Sequence, residues 1–215
     1  MSIHKNKKVI STLENLHKKA SRDNSKKILN IPSINNFQSM SPKEKSEIMK
    51  ELYMAVDQEQ GELLYTLARG SNAKSIFEFG TSFGISAIYL GTAALENKGK
   101  VLTTELNEEK CKIALNNIQN AGLKKVITIV QGDALDTIRN SNIEFDFVFL
   151  DGWKEMYLPA LKLLEKKLKK GSIIIADNVS FAQSKPYLNY VKTHKKFVST
   201  TLTLNKDDTE LSYFV

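Results

Sequence analysis

The chain has 215 residues, 41% of them hydrophobic and 26% charged, with ten Gly and four Pro, a composition that fits one ordinary globular domain and excludes a disordered, collagenous or low-complexity chain. No apolar run approaches the roughly 20 residues of a helical membrane span, and the single cysteine, Cys111, excludes an internal disulfide or a Cys-rich zinc site. Nearly all of the net charge of +7 resides in the first 30 residues, where Lys5, Lys7, Lys8, Lys18, Lys19, Arg22, Lys26 and Lys27 face only Glu14 and Asp23. A polar start without an apolar h-region leads to the expectation of a cytoplasmic protein.

Residues 6–29 are predicted to form one or two short helices, followed by a turn-rich connector up to Pro42. Ser41 and Glu44 make an S-x-x-E capping box, Pro42 suits the first helical position, and Ile48, Leu52 and Ala55 recur at helical spacing, so a helix is predicted over 42–57. A second helix is predicted from Gln60 to Gly70. From residue 75 onward short apolar runs alternate with amphipathic stretches, the pattern of alternating strands and helices. Strand one is expected at 75–80, strand two at 100–106, strand three at 125–131, strand four at 145–151 and strand five at 171–178. The helix after strand one contains Ser86 to Leu95. The next is capped by Asn107, ended by Gly122, and predicted to carry Cys111, Ala114, Leu115, Ile118 and Ala121 on its apolar stripe. After strand four a helix is predicted to run through Leu158 to Leu168, with the basic run from Lys162 to Lys170 in its last turns, where cations complement the carbonyl end. The continuous apolar character of strands four and five indicates burial on both faces and hence a parallel sheet covered by helices. A last helix near Tyr187 to His194 precedes two strands, joined as an antiparallel hairpin across residues 205–208.

Sheets of this kind bind ligands beyond the carboxyl ends of their strands. After strand one stands Glu78-Phe79-Gly80-Thr81-Ser82-Phe83-Gly84-Ile85-Ser86, a G-x-x-x-G turn preceded by an acid rather than the G-x-G-x-x-G of a pyrophosphate cradle. A ligand carrying an ammonium and a carboxylate suits it better: Glu78 can accept from the ammonium, and amides at the helix start can hold the carboxylate. Glu105, at the end of strand two, is placed to accept from the hydroxyls of a ribose, and Asp133, after strand three, from an adenine amino group.

This combination resembles the class I S-adenosylmethionine-dependent methyltransferases. The resemblance implies a Rossmann-like α/β fold with a seven-stranded, mostly parallel sheet of order 3-2-1-4-5-7-6, strand seven antiparallel and helices on both faces. It implies cofactor contacts from Glu78, Gly80, Thr81, Ser82, Gly84, Ser86, Glu105, Leu106, Gly132, Asp133, Ala134, Asp151 and Trp153. It also divides the chain into a basic helical extension over residues 1–40 and a methyltransferase domain over 41–215.

Leu150-Asp151-Gly152-Trp153-Lys154-Glu155-Met156-Tyr157 is similar to the L-D-x-W-K-x-x-Y stretch of catechol O-methyltransferase and its bacterial relatives, and Asp177-Asn178 to the D-N pair of that group. The likeness implies a divalent ion, usually magnesium, on Asp151, Asp177 and Asn178, and catalytic roles for Lys154, as proton acceptor, and Asp151. The residue types agree, because two carboxylates and an amide oxygen form a hard all-oxygen set suited to Mg²⁺, Ca²⁺ or Mn²⁺ rather than Zn²⁺. A lysine base must be deprotonated, and a neighbouring dication with partial burial favours the neutral amine. Gly152 departs from the histidine of catechol O-methyltransferase and is expected to open the cofactor-facing surface. His4, His17 and His194 show no metal spacing, and Cys111 reads as buried packing.

The expected activity is methyl transfer to a hydroxyl of a small molecule, a catechol or vicinal diol, without nucleic acid or membrane as partner. The acceptor's wall is expected from the N-terminal helices and from Ser180 to Gln183. The N-terminal helices are candidates for a lid or a homodimer contact. Two alternatives stay open: an RNA or protein methyltransferase that holds a polyanion with its basic arm, and a non-catalytic module that binds the same nucleoside.

Overall fold

The structure is a computed structural model that describes residues 3–27, 37, 39–204 and 207–215. The expected connector before Ser41 and the middle of the last hairpin turn lie largely outside these residues. The described helices are α1 (Lys7–Lys27), α2 (Pro42–Ile48), α3 (Gln58–Gly70), α4 (Ile85–Glu96), α5 (Glu108–Asn120), α6 (Ala134–Asn140), α7 (Tyr157–Leu164) and α8 (Lys185–Thr193). The strands are β1 (Ser75–Phe79), β2 (Lys100–Glu105), β3 (Ile127–Gln131), β4 (Phe145–Leu150), β5 (Leu168–Ala176), β6 (Phe197–Thr203) and β7 (Asp208–Phe214). They form one seven-stranded sheet in the order β3-β2-β1-β4-β5-β7-β6. Pairing is parallel from β3 through β5 and antiparallel where β7 joins β5 and β6. This is the order and hairpin reversal that the resemblance implied. No helix among the described residues is long and apolar enough to cross a membrane.

Successive residues of a strand face opposite sides of the sheet, so its apolar runs feed two cores. Ile76, Val101, Phe149 and Ile175 pack with α4 on one side, while Phe77, Val148, Leu150 and Ile174 pack with α6, α7 and α8 on the other. Ten of the twelve residues of α4 are buried, because this helix lies between the sheet and an outer layer. α1 belongs to that outer layer. Its Val9, Leu13 and Leu16 are buried in the same cluster as Ile88 and Leu90, and Lys7, Lys8, Lys18 and Lys19 stay on its exposed side.

Two helix boundaries and one helix face differ from the sequence expectation. The helix predicted over 42–57 ends at Ile48. Its N-terminus has the expected capping box, but Asp57 caps α3 with an extended backbone and accepts from the Gln60 N–H, so the chain before it cannot remain helical. Leu52 and Val56 reach the interior through this irregular segment instead. The helix after β4 ends at Leu164, and the lysines through Lys170 stand in a turn and on β5, because Leu168 is buried in register with Phe145. On α5 the buried face carries Lys110, Ala114, Asn117 and Ile118. Leu115 is exposed and Cys111 half-buried, so the stripe lies one position away from an all-apolar reading.

Candidate functional site

β1 is the point from which the chain winds outward in both directions, to β2 and β3 on one side and to β4 and β5 on the other. Beyond the carboxyl ends of these strands lies a cavity of about 590 Å³, a size suited to a small organic ligand. Gly80, Ser82, Glu105, Leu106, Gly132, Asp151, Trp153, Lys154, Asp177 and Asn178 line it, so residues picked from five separate sequence segments share one wall.

The turn after β1 is shaped by close backbone contact. Gly80 has φ +106, and a Cβ there would stand 2.4 Å from the carbonyl oxygen of Asp151, which only glycine tolerates. The N–H groups of Gly80 and Thr81 both donate to the Thr104 carbonyl. Ser82, also at positive φ, donates its N–H to Glu105 Oε2 at 2.8 Å, and the other oxygen of Glu105 accepts from the Asn107 N–H at 2.9 Å. Glu105 thereby ties the turn to the end of β2 and keeps a second lone pair on each oxygen. Gly84 closes the turn as the N-cap of α4 without a side-chain cap bond, leaving amide donors at the start of that helix.

Glu78, Thr81, Gly84 and Ser86 stand behind this turn rather than on the cavity wall. Glu78 is fully buried, accepts from the Thr103 hydroxyl on Oε2, and has no partner for Oε1 among the described residues. Its pKa is pushed up to about 7, chiefly by burial, with hydrogen bonds from Thr103 and Ser86 opposing and the charges of Asp151 and Glu105 adding. Ser82 Oγ is also buried without a partner among the described residues. Such orphaned atoms are disfavoured by about 1–3 kcal/mol each. A zwitterionic ligand at the turn suits this set of an acid, a hydroxyl and helix-start amides. Asp133 caps α6 through a 2.7 Å bond from the Leu135 N–H, and with Gly132 it borders a separate shallow depression. Ala134 is buried at the start of α6.

The other half of the wall comes from β4 and β5. Asp151 is pushed up to about 7, chiefly by burial; Lys154 opposes the rise and Asp177 adds to it. Asp177 is buried and accepts from the Thr209 hydroxyl, and Asn178 is held at positive φ. No group of three His, Cys, Asp or Glu that could by itself hold a metal ion is found among the described residues. Two crowded carboxylates and an amide oxygen nonetheless fit a hard divalent cation that takes its remaining ligands from water and substrate. Lys154 Nζ donates to Asp151 Oδ1 at 3.3 Å and to the Tyr157 hydroxyl at 2.8 Å.

Gly152 does not open the cofactor-facing surface. A Cβ at this position would stand 2.3 Å from the Phe79 ring, so the phenylalanine at the end of β1 fills the space that a side chain at 152 would claim. Both residues line the cavity.

Several residues on or behind the wall escape sequence reasoning. Lys45 of α2 is buried, pairs with Glu155 at 2.6 Å, and lies 5.5 Å from the Trp153 ring and 6.0 Å from that of Phe37. Tyr53 stacks on Phe83 with ring centroids 4.1 Å apart, and Lys110 lies 5.3 Å from the other ring of that stack. Burial holds the Lys110 ammonium below its ordinary pKa. None carried a signal, since a lysine on a short amphipathic helix reads as solvated. Phe181 and Gln183, from the segment expected to wall the acceptor, line the cavity together with Phe37 and Met54. Cys111 is pushed up to about 12, chiefly by burial, which leaves it an inert thiol. His17 contacts the Tyr89 hydroxyl, and His194 stacks on Tyr190.

A family model described as O-methyltransferase matches residues 33–207. The chain is 32% identical to catechol O-methyltransferase of Sus scrofa over 70% of its own length and 84% of that protein. It is 31% identical to the Bos taurus enzyme over 69% of the chain, and there it spans 57% of the relative's length. The crystal structure of an O-methyltransferase from Bacillus cereus in complex with SAH is similar in fold, with a TM-score of 0.73 at 22% identity, covering 93% of this chain and all of that one.

Proposed function

Because the chain belongs to the O-methyltransferase family, we propose that it transfers the methyl group of S-adenosylmethionine to a hydroxyl of a small catechol or vicinal diol, with a divalent cation, Mg²⁺, and Lys154 as proton acceptor. The observation that carries this reading is the shared wall: Lys154 and Asp151 lie 3.3 Å apart on one cavity with Asp177 and Asn178, beside Gly80, Ser82 and Glu105.

The cofactor, when bound, supplies an electrophilic methyl group on a sulfonium. The turn over 80–84 receives its amino-acid end, with the Glu78 charge beneath, and Glu105 has lone pairs free for the ribose hydroxyls. Leu106, Gly132 and Phe79 border the nucleoside side, and Trp153, on the same wall, covers the adenine. The cation, when bound on Asp151, Asp177 and Asn178, supplies a Lewis acid that makes a hydroxyl more acidic and favours acceptors with two neighbouring oxygens. Lys154 takes the hydroxyl proton as the oxygen becomes nucleophilic. Phe37, Tyr53, Met54 and Phe181 supply an apolar wall that suits an aromatic acceptor, and holding it in line contributes as much as its ionisation.

The test is formation of S-adenosylhomocysteine from a panel of vicinal diols and simple phenols, in Mg²⁺ and then in chelator. The proposal expects turnover with diols in Mg²⁺ and its loss on chelation. Turnover that ignores chelator removes the metal assignment, and no product from any acceptor removes the small-molecule reading.

A further inference from the structure

Tyr157 is completely buried at the start of α7, with its ring edge-on to Tyr187 at a centroid distance of 5.7 Å. A tyrosine enclosed this way needs a partner for its hydroxyl. It has two. The O–H donates to the carbonyl oxygen of Asp177 at 3.0 Å, and the oxygen accepts from Lys154 Nζ at 2.8 Å. Because a phenol carries one proton and that proton is directed to a carbonyl that can only accept, Tyr157 can offer Lys154 nothing but a lone pair.

As a carboxylate, the second neighbour of Lys154, Asp151, likewise accepts from Nζ, on Oδ1 at 3.3 Å. Two of the three directions around Nζ are therefore fixed as N–H donors, one toward Asp151 and one toward Tyr157. The third direction is left for the cavity that Lys154 lines. We infer that Tyr157 is a positioning residue for Lys154: by accepting from Nζ with its own proton fixed on Asp177, it aims the remaining position of the amine at the acceptor's hydroxyl. Tyr157 also links two parts of the site that chain order separates, the turn after β4 that carries Lys154 and the end of β5 that carries Asp177 and Asn178. This inference rests on the reading of Lys154 as proton acceptor and goes beyond it by naming what orients the base.

Tyr157→Phe deletes the hydroxyl and keeps the ring packed against Tyr187. Single-turnover methyl transfer from radiolabelled cofactor to a catechol acceptor is measured for wild type, Tyr157→Phe, Lys154→Met and the double variant, with acceptor KM, cofactor Kd by calorimetry and a thermal melt for each. The inference expects kcat of Tyr157→Phe to fall about ten- to hundredfold, with KM and Kd within about twofold of wild type. In the Lys154→Met background the same change is expected to alter the rate by less than about twofold, since a base that is gone can no longer be misaimed. A Tyr157→Phe variant that turns over like wild type overturns the inference. So does an equal proportional loss in both backgrounds, which marks a role in the fold alone. Lys154→Met with undiminished turnover instead removes the reading of Lys154 itself, a result distinct from either.

Discussion

Replacing Glu78 by Gln tests the cofactor half of the site through two measurements expected to move in opposite directions. In the ligand-free protein Glu78 is fully buried with one carboxylate oxygen unpartnered among the described residues, and its pKa rises from 4.5 to about 7. A carboxyl whose pKa is higher in the folded than in the unfolded chain favours folding in its protonated form. That contribution is fully present below pH 4.5 and is lost as the pH rises through about 7. A rise from 4.5 to about 7 corresponds to about 3 kcal/mol. The neutral amide of Glu78→Gln escapes this loss, so urea unfolding of the ligand-free variant is expected to show it more stable than wild type at pH 8 by up to about 3 kcal/mol, with the difference closing toward pH 4.5. Calorimetry is expected to show the reverse for the cofactor. A charge-assisted bond to the ammonium contributes about 1.5–3 kcal/mol, so affinity falls about ten- to hundredfold. A Gln variant that is less stable at pH 8 refutes the electrostatic reasoning, and one that is more stable but binds the cofactor as wild type does refutes the functional assignment of Glu78.

Three further changes probe the packing and the cation site. Gly152→Ala drives a methyl group into the Phe79 ring and is expected to destabilise by about 1–3 kcal/mol, with recovery in the Gly152→Ala, Phe79→Leu double variant; an alanine variant that melts like wild type contradicts the contact. Leu16→Ala, at a site 1% exposed, is expected to lower stability by about 2–5 kcal/mol in a single cooperative transition; a change confined to a small early helical signal means that α1 does not share the core. Asp177→Asn is expected to reduce Mn²⁺ affinity, read by electron paramagnetic resonance, while cofactor affinity stays within about twofold; unchanged Mn²⁺ binding places the cation elsewhere.

Strands β1 to β5 were legible because each is an apolar run ended by a turn, and buried parallel strands have that texture. The acids near their ends were legible for a related reason: Asp151 closes the apolar run of β4, and Glu78 and Glu105 stand within two residues of the turns that end β1 and β2. The helix over 42–57 was over-read because Ile48, Leu52 and Ala55 keep a helical period. That period cannot distinguish a helix from an irregular segment that buries Leu52 by a turn, and the decisive signal was Asp57, whose capping geometry interrupts the helix. Lys45 was missed because its burial depends on Glu155, 110 residues away in sequence. A lysine's environment is a property of the fold, not of its neighbours in the chain.

The Gly152 expectation failed through the same non-locality, and its failure changes how the site is understood. Phe79 and Gly152 are each other's complement across the neighbouring strands β1 and β4, just as Gly80 and the Asp151 carbonyl are. Two contacts of this closeness make the turn over 80–84 and the turn over 151–154 one packed unit. The first turn borders the proposed cofactor position and the second carries Asp151 and Lys154, so the cofactor's floor and the acceptor's chemistry cannot shift independently. A side chain placed at 152 has to be matched by a smaller residue at 79, and a side chain at 80 displaces the backbone of Asp151 itself. Changes at 79 and 152 thus act on the cofactor wall as a matched pair, whereas a change at 80 reaches the backbone that carries a carboxylate of the acceptor side.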